Sequence, residues 1–280
     1  MTTDRFAIAT RDEVWSRGRI VEQRLSYGEA IQHGSEIEAS DARDDALVAA
    51  CTSAMESMRA CVLDDVRMRL VATASTDGDS QTITVTLHDH SIVTTPEHLS
   101  EDMQLLRNAG VPLASPAASR RLPLLWKHGT AAVLLHECAG HPLEHDREAI
   151  LPSWLHVDIP RKPRRATFRD VPLLRMQHVF AEQHDAPFAL PGERIEILLI
   201  DGGHYEPLTD VVTLHVGAAD LVEGNDRRRL APFTFEASRH DIRFLGASGA
   251  PLRYPGVVCS REGQELVVPS HAPLLLTELA

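Results

Sequence analysis

The spacing of apolar positions divides the chain into stretches of different period. Over Asp44 to Asp65, Leu47, Val48, Cys51, Ala54, Met55, Met58, Cys61 and Val62 recur at three- and four-residue intervals, which predicts a helix with one buried face. Alternation then takes over. Val66 to Ala74 and Gln81 to His88 read as strands, the second setting Ile83, Val85 and Leu87 against Thr82, Thr84 and Thr86, with Thr76-Asp77-Gly78-Asp79 as the turn of a hairpin. Thr95-Pro96-Glu97-His98 starts a further helix that runs through Leu106 and ends near Gly110, before Pro112. Pro112 to Arg121 (PLASPAASRR) has the composition of a linker. After the apolar run Leu122 to Leu125, Thr130 stands as N-cap to a helix beginning with Ala131 to Leu135. Beyond Pro152 the signals are β: Ile195 to Ile200 ending in the turn Asp201-Gly202-Gly203, then Val211 to Val216, Pro232 to Glu236 and Gly256 to Cys259. The organisation expected is residues 1–111 as an N-terminal helix-and-strand region, 112–121 as a linker and 122–280 as a C-terminal domain carrying the chemistry.

Composition narrows the function classes. A formal charge of −12 over 280 residues disfavours any partner bound through its phosphate backbone, so nucleic acid is not expected. The short basic clusters Arg120-Arg121, Arg161 to Arg165 and Arg227 to Arg229 read as solvated loops. No tract of eighteen apolar residues predicts a membrane span, and Met1 to Thr10 lacks the apolar core of a secretory signal, so a cytoplasmic location is expected. In that compartment Cys51, Cys61, Cys138 and Cys259 stay reduced, each as core filler or as a ligand.

The chemistry concentrates in residues 133–146. His136, Glu137 and His141 follow a buried apolar run, and two imidazoles beside a carboxylate are what a hydrolytic zinc site requires: the rings hold the ion and the carboxylate takes a proton from the attacking water. The spacing is unusual. Four residues on an α-helix separate side chains by about 40°, five by about 140°, so a regular helix would not let both histidines reach one ion. The helix must change near Gly140, which can adopt the left-handed conformation that ends a helix, while Pro142 disfavours α geometry at His141; a break or a single π-like turn is expected. A catalytic zinc takes three protein ligands, so a third must come from elsewhere. Cys259, at a strand end before a glycine-containing turn, is the strongest candidate, although a lone cysteine is normally core filler. Glu144 and Asp146 are read as acceptors that could orient a ligand imidazole, with an exposed acidic turn as the alternative for Asp146. His145 is read as exposed, Cys138 as packed in the core, and the His88-x-His90 pair as surface strand.

These residues resemble the TldD/PmbA family of metallopeptidases. The family motif Leu-Leu-His-Glu-Ala-x-Gly-His-x-Leu-Glu-x-Asp is matched at Leu134, Leu135, His136, Glu137, Gly140, His141, Leu143, Glu144 and Asp146. Its C-terminal Cys-x-Lys-x-Gly-Gln element is matched at Cys259, Gly263 and Gln264, with Arg261 in place of the usual lysine, and Arg164 to Met176 is similar to an arginine-rich stretch followed by Pro-x-x-Arg-Met. The resemblance spans roughly residues 120–280; the part before it is shorter than the family's N-terminal region. It implies an α+β fold, an N-terminal helix-and-strand region followed by a mainly antiparallel β domain carrying the metal-binding helix. It further implies Zn2+ held by His136, His141 and Cys259 with Glu137 as general base, cleavage of small or unfolded peptides, and a homodimer or a heterodimer with a related subunit. Two other readings are a non-catalytic subunit of such a heteromeric peptidase and a regulatory protein with structural zinc.

Overall fold

The computed structural model describes residues 4–16, 19–33, 36–40, 66–75, 81–87, 90–95, 98–109, 121–165, 172–261 and 264–280. The helix expected over Asp44 to Asp65, with Cys51 and Cys61, the turn at residues 76–79, His88 and all of the expected linker except Arg121 lie outside them. The chain divides into two compact units, residues 1–107 and 108–280.

The first unit is an antiparallel sheet. β1 (Asp4–Ser16) lies between β2 (Arg19–His33) and β4 (Val66–Ser75), β3 (Glu36–Ser40) borders β2, and β5 (Gln81–Leu87) and β6 (His90–Thr94) follow on the other side of β4. β4 and β5 form the expected ladder, with Leu70 opposite Val85 and Ala72 opposite Ile83. α1 (Leu99–Ala109) buries Leu99, Met103 and Leu106, a three-and-four spacing that puts them on one face. His90 is buried rather than on a surface strand, because β6 turns alternate residues inward and His90 falls in phase with Ile92 and Thr94.

The second unit is built on a sheet in which β7 (Leu124–Trp126) is central, parallel to β12 (Glu193–Glu206) and antiparallel to β17 (Gln264–Leu279). Outward from β12 lies β13 (Val211–Glu223), paired with both β14 (Asp226–Leu230) and β15 (Phe233–Ser238); outward from β17 lies β16 (Ile242–Arg261). β11 (Val179–Gln183) joins β17 in parallel and carries β8 (Leu155–Asp158), while β9 (Arg161–Arg165) and β10 (Pro172–Met176) form a separate ribbon. Antiparallel pairing dominates, and the described residues are rich in β structure with few helices. No helix among the described residues is long and apolar enough to cross a membrane.

Trp126 anchors the core. Its side chain is fully buried, packs edge-on against Phe235 at 5.7 Å and donates from Nε1 to Thr277 Oγ1 at 2.9 Å, so the polar handle of a large aromatic is satisfied inside the sheet. The expected turn at Asp201-Gly202-Gly203 is instead continuous strand: β12 runs on to Glu206, shifting register against β13 between Ile197 and Gly202. Bulges of this kind bend a strand without ending it, and glycine is at home in them. The basic cluster Arg227 to Arg229 is likewise no loop. On β14, Arg227 and Arg229 pair with Asp220, and Arg227 also reaches Glu196 at 2.8 Å.

Glu196 provides a test of this sheet surface. Burial pushes its carboxyl upward, but hydrogen bonds from Lys127, Arg194 and Arg227 outweigh that and hold it at about 2. A folded pKa below the ordinary 4.5 means stability that is present above pH 4.5 and lost as pH falls towards 2. Because its cationic partners are partly exposed, Glu196→Gln is expected to cost about 1–2 kcal/mol at pH 7. Urea melts should show that difference shrinking below pH 4.5 and gone near pH 2.

Candidate metal centre

The helix that carries the motif is hydrophobic all round because it is buried all round. α2 (Ala131–Leu135) packs on β17, β16 and β11, with all five residues inaccessible to solvent or nearly so. Thr130 precedes it without capping it. Its backbone is already α-helical, and its hydroxyl donates to Lys127 O at 2.8 Å, forgoing the first-turn amides.

From His136 to Gly140 the helix widens into a π turn, after which α3 (His141–Glu144) completes it. The amide of His141 donates to the carbonyl of His136, the five-residue closure that defines the turn. That one extra residue per turn brings His141 beside His136, with ring centroids 4.9 Å apart. No break is present. Gly140 has φ −64 and ψ −56, so the left-handed geometry expected of it is not used. Its role is space: a Cβ there would stand 2.2 Å from Sδ of Met176, itself buried.

Gly140→Ala therefore sets two effects against each other. Helix propensity alone favours alanine by about 1 kcal/mol, whereas overpacking a tight core costs about 1–3 kcal/mol. Met176 has little room to retreat, so denaturant unfolding should show net destabilisation. The double variant with Met176→Ala should lose much less than the two single changes added together, since each then fills the other's space.

Three ligand-bearing side chains converge here. One donor atom each from His136, His141 and Cys259 lies within 4.8 Å of the others, and Cys259 Sγ stands 3.6 Å from His141 Nε2. Cys259 comes from β16, 118 residues away from His141 in the chain. His136 is buried with no hydrogen-bond partner for either ring nitrogen among the described residues, and burial followed by the neighbouring His141 holds its pKa well below the ordinary value. A buried neutral imidazole with both nitrogens unsatisfied is costly unless a ligand uses one of them. Two nitrogens and a soft sulfur form a donor set that suits zinc, so the residues fit that ion.

Glu137 is buried beside them, Oε2 being 3.5 Å from His141 Nε2. Burial, opposed by His141 and assisted by Glu144, raises its carboxyl to about 7, in the range where a carboxylate exchanges protons near neutral pH. β12 presses against it. At Gly203 a Cβ would stand 2.5 Å from Leu214 Cδ2 and 2.9 Å from Thr213 O, so glycine is what lets β12 lie this close to β13, with Glu137 Cγ in ordinary contact at 3.5 Å. Burial works against a charged His141, but hydrogen bonds with Cys259 and Glu144 and the charge of Glu137 together raise it to about 10.

The remaining motif residues separate. Glu144 is buried, accepts from His141 Nδ1 at 3.1 Å and from the Met176 amide at 2.7 Å, and so fixes which ring nitrogen of His141 faces Cys259. Asp146 is not brought to the imidazoles: it is exposed, with φ 56, and faces Arg161 at 3.7 Å. The chain leaves the helix there, which turns its side chain outward. His145 is half-buried rather than exposed, with its ring 6.3 Å from that of Tyr205. Cys138 is packed in the core, and burial pushes its thiol up to about 12. Sequence reasoning passed over two neighbours of the site. Gly203 was read as part of a turn, and Arg175, visible only within Pro-x-x-Arg-Met, proves to be fully buried against Cys259.

No protein-family model and no curated protein matches the chain. Among solved structures it is similar to TldE from Thermococcus kodakarensis, with 9% identity and a TM-score of 0.42 over 99% of this chain and 96% of that one. It is also similar to a "putative modulator of a DNA gyrase" from Thermotoga maritima, with 10% identity and a TM-score of 0.39 over 99% and 95% of the two chains. A third, a "putative modulator of DNA gyrase" from Bacteroides thetaiotaomicron, has 8% identity and a TM-score of 0.39 over 99% and 94%. The chain thus resembles the TldD/PmbA family in its motifs and has TldE among its structural neighbours. At these identities the functional argument rests on the site.

Proposed function

We propose that the chain is a zinc-dependent peptidase, with the ion held by His136, His141 and Cys259 and with Glu137 as general base. The observation that supports this most strongly is buried His136, whose ring nitrogens have no hydrogen-bond partner among the described residues while two other ligand side chains converge on it. Bound zinc would polarise the scissile carbonyl and make water a better nucleophile. Glu137 takes the proton from the attacking water and delivers it to the leaving amine, and a buried carboxylate of raised pKa is suited to both transfers. Glu144 holds the His141 ring in the orientation that directs Nε2 inward.

The substrate class is small or unfolded peptides. β12 beyond Ile197 has strand partners on its β13 side alone among the described residues, and it passes Glu137 at Gly203; an extended peptide could pair there through its main chain, independently of its sequence. The working form is a homodimer or a heterodimer with a related subunit, and the location is cytoplasmic, where a thiolate ligand stays reduced.

The test is cleavage of an unstructured peptide mixture, read by mass spectrometry, before and after chelation. Activity lost with chelator and restored by one equivalent of zinc supports the peptidase. Stoichiometric zinc with no cleavage of any peptide would transfer the chain to the non-catalytic or regulatory reading.

A further inference from the structure

Arg175 on β10 places a positive charge in the interior of the second unit. Its side chain is fully buried, and a buried guanidinium is tolerated only when its charge and its N–H groups are answered. Two hydrogen bonds and one ion pair tie it to the metal-ligand surroundings. Nη2 donates to Cys259 O at 2.8 Å and to Cys259 Sγ at 3.1 Å, and Nε stands 3.4 Å from Glu144 Oε1. Glu144 in turn holds His141. One planar group therefore touches Cys259 on a distant strand directly and reaches His141 on the helix through Glu144.

We propose that Arg175 is a positioning residue that sets Cys259 and His141 in ligand-ready geometry and balances the charge of the loaded site; this rests on the zinc reading above. With both imidazoles neutral, a dication is matched by the Cys259 thiolate and Glu137, which leaves Glu144 to be matched by Arg175. Without the guanidinium the buried site would lose the positive charge that faces Glu144 at 3.4 Å. The N–H donated to sulfur also draws electron density from the thiolate, so the site gains a less basic sulfur ligand. A lysine could supply charge but not the fork that reaches the carbonyl, the sulfur and the carboxylate together.

Co2+ is the probe, because a cobalt–thiolate bond gives a sulfur-to-metal charge-transfer band. In titrations of the metal-free protein, Arg175→Met is expected to weaken Co2+ binding by about 10–100-fold, the usual effect of losing a residue that supports a ligand. The band should move to longer wavelength as the unsupported sulfur becomes a better donor. Arg175→Lys, which keeps the buried charge and guards against a variant that fails to fold, should show an intermediate loss and the same direction of shift. The double variant Arg175→Met with Glu144→Gln removes both members of the ion pair; it should recover folding stability without recovering affinity. A folded Arg175 variant with wild-type Co2+ affinity and an unmoved band overturns the proposal. Absence of any sulfur band in the wild type is a different failure: it removes Cys259 from the ligand set and this inference with it.

Discussion

Glu137→Gln is expected to retain zinc at wild-type stoichiometry and to lower peptide cleavage by about 10²–10⁴-fold, the usual contribution of a positioned general base. Glutamine keeps the shape of the side chain, so the packing of Glu137 against Gly203 is preserved and the helix need not move. What is lost is the capacity to accept a proton. Glu137 Oε2 stands 3.5 Å from His141 Nε2 and has no hydrogen-bond partner among the described residues, so its replacement should not loosen the metal. Elemental analysis and kcat measured on one preparation check both halves, and full activity in the variant would remove Glu137 from the mechanism.

His136→Leu should act in opposite directions on the metal-free and metal-loaded protein. In the metal-free chain the histidine buries two nitrogens with no hydrogen-bond partner among the described residues, and an apolar side chain of similar size relieves a penalty of about 1–3 kcal/mol, so the variant is expected to unfold at higher denaturant. With zinc the order reverses. A ligand present at a thousand times its dissociation constant stabilises the native state by about 4 kcal/mol, and the variant forfeits most of this. Paired urea melts with and without zinc check the prediction. A variant that zinc stabilises as much as wild type would show that His136 is not a ligand.

The site was legible in the sequence to the extent that its chemistry was local. The five-residue spacing of His136 and His141 demanded a departure from α geometry, and the π turn supplies it. The expected use of Gly140 was mistaken because its requirement is tertiary: Met176, 36 positions further along, occupies the space of its Cβ. Cys259 stood out as a candidate by its place at a strand end, but only family likeness raised it above core filler, since a contact across 118 residues leaves no periodicity to read. The same limit hid Arg175, whose partners lie on two other elements.

The β4–β5 ladder was readable because apolar and polar residues alternate along β5, Ile83, Val85 and Leu87 against Thr82, Thr84 and Thr86 in the sequence. β1 and β2 were not, since charged residues such as Arg11, Asp12 and Glu13 interrupt their alternation. Asp201-Gly202-Gly203 misled for a different reason. Its residues favour a turn in isolation, but pairing with β13 carries the strand through them and leaves Gly203 opposite Leu214.

X-ray absorption at the zinc edge, on protein loaded with one equivalent, tests the three-ligand site most directly. The fine structure should show one sulfur at about 2.3 Å and two imidazole nitrogens at about 2.0–2.1 Å, with the sulfur contribution absent in Cys259→Ser. A shell of nitrogen and oxygen alone in the wild type, or a sulfur that survives Cys259→Ser, would contradict it.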